Sequence, residues 1–201
     1  MSVQLYPDLA QQLGLSPEQE QAVYDILAQQ QLDVSAVSVV MGADGQISEQ
    51  TQRERDEIWR RHNADLAAYL GPATWRRFQE YETTLEARRE VSSFGMLLGI
   101  EGKPLTDSQK GPLLKDMLVE QQRRAQEQQL RTYPNMDQRA KIEAAIQNLK
   151  GREASYQRIM NSARVYLTPA QLQMIQESMT RGIQNERTEL NAQLARLNGG
   201  R

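Results

Sequence analysis

The sequence has no cysteine. That absence excludes disulfides, a thiolate nucleophile and zinc–thiolate ligation, and it leaves the compartment open. Histidine is nearly absent too: His62 stands alone, so paired-histidine metal sites cannot form and a Ser-His-Asp arrangement could be built in only one way. Aromatic residues make up 5% of the chain and mean hydropathy is −0.70, values that suit a disordered chain when apolar residues are scattered. Here they recur at helical intervals, which indicates a folded one. Neither sign of charge dominates, with 24 Lys and Arg against 26 Asp and Glu. The uncompensated basic surface that nucleic acid requires is therefore missing. The pairs Arg60-Arg61, Arg76-Arg77, Arg88-Arg89 and Arg123-Arg124 sit beside Glu, Asp or Gln and read as solvated helix faces.

There is no apolar run of about 20 residues, so the chain is not expected to insert directly into a membrane. The start, MSVQLYPDLAQQLGL, lacks the basic and apolar regions of a signal peptide. Either the protein is cytoplasmic, or an upstream export or anchor segment is absent from this chain. No glycine-rich phosphate loop follows a strand, and no cofactor is expected. The stretch Ala43-Asp-Gly-Gln-Ile-Ser48 resembles the middle of a calcium loop, but the required carboxylates are replaced by Val40, Gly42 and Thr51. No metal site and no catalytic residue are assigned. His62 lies on an apolar stripe with Ile58 and Leu66, where a packed histidine is the simpler reading, and Trp59 and Trp75 read as core anchors of a helical hairpin.

What the chain does contain is helical periodicity. Ile142, Ile146, Leu149, Tyr156, Met160, Ala163 and Leu167 follow steps of three and four, broken only at Glu153. A second stripe runs through Leu172, Ile175, Met179, Ile183, Leu190, Leu194 and Leu197, with Glu186 or Arg187 in its gap. Each predicts a helix of about 30 residues, roughly 45 Å long. Leu113, Leu114, Met117, Leu118 and Val119 open another, with Gly111-Pro112 expected to kink or delay its first turn and the TYPN stretch expected to end it, before a capping box over Asn135–Gln138. The first half predicts helices from 17 into the low 30s, from 49 to 69 capped by Ser48, and from 72 into the low 90s. VSAVSVVMGADGQ allows strand as well as helix by its Val and Ser content, and is read as helix followed by a loop at 42–46. Met96, Met117, Met136, Met160, Met174 and Met179 are read as core filling before any binding groove.

One device recurs four times: Leu15-Ser16-Pro-Glu-Gln19, Leu70-Gly71-Pro72-Ala-Thr74, Leu105-Thr106-Asp-Ser-Gln109 and Leu167-Thr168-Pro169-Ala-Gln171. Each reads as a helix N-terminus, with a leucine staple, a capping residue, a proline in the first turn of three copies and, in three, a glutamine that can close a capping box. The first and third copies lie 90 residues apart and the second and fourth 97, counted from the leucines at 15, 105, 70 and 167. An ordered pair of signals used twice predicts a tandem duplication. The expected fold is all-α: an elongated antiparallel bundle of long helices built from two similar hairpin units. Residues 1–95 form the first unit, 96–104 the connector, where SSFGMLLGIEGKP (92–104) interrupts the helical pattern, and 105–201 the second.

The copies at 105–109 and 167–171 match the LTxxQ motif, and over residues 104–190 the chain resembles the bacterial periplasmic LTxxQ family that includes Spy and CpxP. The resemblance implies an all-α hairpin-like subunit, commonly dimeric, that acts without ATP as an envelope-stress chaperone or adaptor. It implies a non-enzymatic protein whose partners are client proteins bound through an apolar helical surface, with a homodimer as a further possibility. The histidines of the family's metal-responsive members have no counterparts here. The alternative is a structural or regulatory interaction module, the soluble part of a membrane-anchored protein with one defined partner.

Overall fold

The computed structural model describes residues 5–41, 47–129 and 137–199. Six α-helices order the described chain: α1 (Leu9–Leu13), α2 (Pro17–Ala36), α3 (Glu49–Ile100), α4 (Asp107–Gln129), α5 (Gln138–Ala163) and α6 (Pro169–Gly199). The fold is all-α, as the periodicity required. The chain divides into two compact units, residues 1–89 and 90–201, and the division falls inside α3.

The first unit buries Leu9 and Leu13 of α1, Val23, Tyr24 and Leu27 of α2, and Leu66, Phe78 and Tyr81 of α3 in one core. Trp75 stacks on Phe78 at 5.4 Å and packs at the edge of this core. Trp59, read from the sequence as a second anchor, is instead 41% exposed. It falls outside the stripe that takes Ile58, His62 and Leu66 inward, because neighbouring positions on a helix point about 100° apart. The N-terminal segment is strapped to α3. Tyr81 donates its hydroxyl to the Pro7 carbonyl at 2.7 Å, Arg89 Nε donates to the Leu5 carbonyl at 2.6 Å, and the Arg89 guanidinium lies over the Tyr6 ring.

The sequence placed two separate helices at 49–69 and from 72 into the low 90s. The structure has them: the element labelled α3, Glu49–Ile100, is two helices that meet at Gly71, whose backbone is non-helical at φ 71° and ψ 166°, and the second runs on to Ile100. That backbone region is essentially open to glycine alone, and a following proline disfavours helical geometry at the residue before it. Gly71-Pro72 therefore breaks the helix by backbone chemistry, and Thr74 supplies no glutamine amide to close a box. Gly95 and Gly99, expected to interrupt the pattern, stay within the helix, which ends where Gly102 adopts φ 68° and Lys103 N–H bonds the Leu98 carbonyl.

Helix α2 stops at Ala36, and Val37 is already extended, so the expected helix over the rest of VSAVSVV gives way to extended chain. Thr51, 1% exposed at the start of α3, holds that segment: its hydroxyl oxygen accepts from Val40 N–H and donates to the Ser38 carbonyl. Met41 and Ile47 then form an antiparallel bridge. The loop at 42–46, most of the calcium-loop-like stretch, TYPN, Asn135 and Met136 lie outside the described residues. Helix α5 is capped by Asp137, whose carboxylate accepts from Ala140 N–H at 2.7 Å, in place of the expected Asn135 box.

In the second unit α5 packs against both α4 and α6. Leu113 and Met117 of α4, Ile142, Leu149, Ile159 and Met160 of α5, and Ile175, Met179 and Ile183 of α6 are buried, together with Val91, Phe94 and Leu98 from the end of α3. Pro112 lies inside α4 without ending it. Met117, Met160 and Met179 fill the interior as expected of them, whereas Met96 is 46% exposed. The two stripe breakers answer each other across the helices: Glu153 accepts from Arg187 at 2.9 Å, and Glu186 accepts from Arg152 at 2.5 Å.

Candidate functional site

Two motif copies form the complete caps their residues encode, and a third forms half of one. Ser16 and Gln19 close a complete box on α2: Gln19 N–H donates to the Ser16 hydroxyl and Ser16 N–H donates to the Gln19 side-chain carbonyl. Thr168 and Gln171 do the same on α6, at 3.3 Å and 3.0 Å. At Thr106 only the return bond is made, from Thr106 N–H to Gln109 Oε1 at 2.9 Å, while the Thr106 hydroxyl pairs with Ser108. Leu105 and Leu167 are buried beside these caps; Leu15 and Leu70 are half-buried. Pro169 and Pro17 take the first helical position, where no amide donor is missed.

The structure then brings two of the copies together. Gln109 donates from Nε2 to the Gln171 side-chain oxygen at 3.0 Å, and Gln171 donates from Nε2 to the Gln109 oxygen at 3.3 Å. Gln109 also donates to the Tyr166 carbonyl, and Gln171 to the carbonyls of Lys103 and Pro104. Two helix N-termini are thus clasped by one reciprocal amide pair, with Gln171 only 4% exposed. Each amide carries both donors and acceptors, so a single side chain caps its own helix and bridges to its neighbour. In the first unit Gln19 is exposed and bonds only within its own box, and the copy at Leu70, Gly71 and Pro72 has no capping bond of this kind among the described residues. Tyr166 adds a bond from its hydroxyl to Asp116 at 2.6 Å, and burial raises its phenol pKa.

His62 is 6% exposed and its Nε2 lies 2.8 Å from Asp33, whose carboxylate also accepts from Arg61. The hydrogen bond to His62 holds the Asp33 carboxyl below its ordinary pKa. Asp33 thus ties the buried His62 and the exposed Arg61 of α3 to α2. Among the described residues no group of three or more His, Asp or Glu is placed to hold a metal ion, and no helix is long and apolar enough to cross a membrane.

Sequence reasoning missed the strongest ion pair. Glu120, 5% exposed on α4, receives Arg158 of α5 through Nε at 2.9 Å and Nη2 at 2.7 Å, and Ser155 accepts from the same guanidinium. The hydrogen bond from Arg158 draws the Glu120 carboxyl below the usual range. The only available signal was that Ser155 and Ile159 sit off the main apolar stripe, which marks a second buried face on α5.

No family model matches the chain, and neither a curated protein nor a solved structure matches it.

Proposed function

We propose that the chain is a non-enzymatic, LTxxQ-type helical binding protein of the bacterial cell envelope, a chaperone or stress adaptor that holds client proteins on an apolar surface. The observation that carries this reading is the clasp itself: the two LTxxQ copies, 62 residues apart, meet through their glutamines as one structural element. The tandem reading of the whole chain rests on the order and spacing of the four motif copies. Support for an apolar contact surface comes from Val39, Val40, Met41 and Ile47, all more than a third exposed around the bridge between α2 and α3. Exposed aliphatic and thioether side chains that adapt in shape suit varied clients.

The purified chain is expected to suppress aggregation of chemically unfolded, unrelated proteins at near-stoichiometric ratios, and Val40→Ser with Met41→Ser to weaken that suppression. Full aggregation in its presence would remove the chaperone reading. Recovery of one stoichiometric partner from an envelope extract, without suppression, would favour the single-partner module in its place.

A further inference from the structure

A second feature, independent of the client-binding surface, lies between α4 and α5. Arg124 and Glu127 on one helix and Gln147, Asn148, Lys150 and Arg152 on the other line a half-open polar cleft of about 290 Å³. Gly151 lies on its wall, and a side chain there would meet nothing within 4 Å, so the space continues over the glycine.

Arg124 and Lys150 differ from Arg152 in the same lining and from the interhelical arginines elsewhere in the unit. Arg158 and Arg187 each end on a carboxylate of a neighbouring helix, and Arg152 turns its Nη1 to Glu186. Arg124 has no such partner among the described residues. Its Nε is sequestered from solvent without an acceptor, and Lys150, an exposed residue of the lining, ends on no carboxylate among the described residues. A guanidinium nitrogen removed from water and left unbonded has an unmet hydrogen-bonding demand, and its planar fork matches a carboxylate or phosphate. The neighbouring Gln147 and Asn148 amides offer donors and acceptors to the rest of a ligand. Glu127 in the same lining sets a limit on charge: its carboxylate opposes a polyanion more than a singly charged group.

We propose that this cleft is a binding site for a single oxyanionic group, a carboxylate or phosphate, held by Arg124 and Lys150, with Glu127 disfavouring more highly charged ligands. The group comes from a free small acid or from an acidic side chain of a docked protein.

The test is titration of the full chain with succinate, with inorganic phosphate and with a short peptide carrying one Glu, followed by amide chemical shifts. Saturable shifts confined to residues near 124–127 and 147–152 are expected for at least one probe. Arg124→Gln is expected to weaken that binding about tenfold or more, the loss of one charge-assisted bond pair. Lys150→Gln, an exposed change that leaves the fold intact, is expected to weaken it as well, and Glu127→Gln to tighten it. Response to the peptide alone assigns the group to a protein partner, and response to succinate or phosphate assigns it to a free acid. No saturable shift with any probe, or affinities unchanged by both Arg124→Gln and Lys150→Gln, would overturn the proposal.

Discussion

Removing the Gln171 side chain is the most direct perturbation of the clasp, because one amide serves four groups. In Gln171→Ala the Thr168 N–H loses its capping acceptor, Gln109 loses its reciprocal partner, and the carbonyls of Lys103 and Pro104 lose a donor. A net contribution of about 1 kcal/mol per group served, with the site 4% exposed so that water enters poorly, gives a loss of about 4 kcal/mol. Gln109→Ala removes bonds to Thr106, Tyr166 and Gln171 at a half-buried position, and about 2 kcal/mol is expected. Gln19→Ala, with only an exposed box bond to lose, is expected to cost about 0.5–1 kcal/mol. The crossed pair is common to the first two variants. The double variant should therefore cost about 1 kcal/mol less than the two single losses together, a coupling that a mutant cycle isolates. Urea unfolding followed by far-ultraviolet circular dichroism measures all four chains. Additive losses at 109 and 171, or equal effects at 19 and 171, would show that the glutamines act only as independent caps and would refute the clasp as an energetic unit.

Three further outcomes follow from single residues. Gly71→Ala places a side chain at φ 71° and is expected to cost about 1–3 kcal/mol, whereas Gly95→Ala, helical with open space around it, is expected to stabilise by about 0.5–1 kcal/mol; both are read from thermal unfolding, and like signs would contradict the assigned backbone. Gln30 is 2% exposed with its Nε2 unbonded, so Gln30→Leu is expected to raise stability by about 1 kcal/mol in the same assay, and a loss would mean the amide is satisfied in solution. Because Arg158 lowers the folded-state pKa of Glu120, the pair's contribution is fully present above the unfolded carboxyl value near ~4.3 and is lost as pH falls through the folded value. The stability gap between the native chain and Glu120→Gln is thus expected to be flat from about pH 5 to 7 and to shrink below about pH 4, and a gap that widens on acidification would reverse the assignment.

The sequence by itself determined the helical class, the sites where α2, α4 and α6 begin, the cap at Ser48, and most of the buried stripe on α5 and α6. These depend on contacts no more than four residues apart: a capping hydroxyl and glutamine at a spacing of three, a proline in the first turn, apolar positions recurring with the helical repeat. The break between two helices at Gly71 was legible too, because Gly-Pro is a local backbone signal, whereas the run of the second helix through Gly95 and Gly99 to Ile100 was not. Only the tertiary structure decided which polar groups meet. Gln109 finds Gln171 at a separation of 62 residues, and Glu120 finds Arg158 at 38. Among 24 basic and 26 acidic side chains, many pairings are chemically equivalent in a sequence. Helix packing selects among them, since it alone fixes which few of these interchangeable groups come within hydrogen-bond reach and lose access to water.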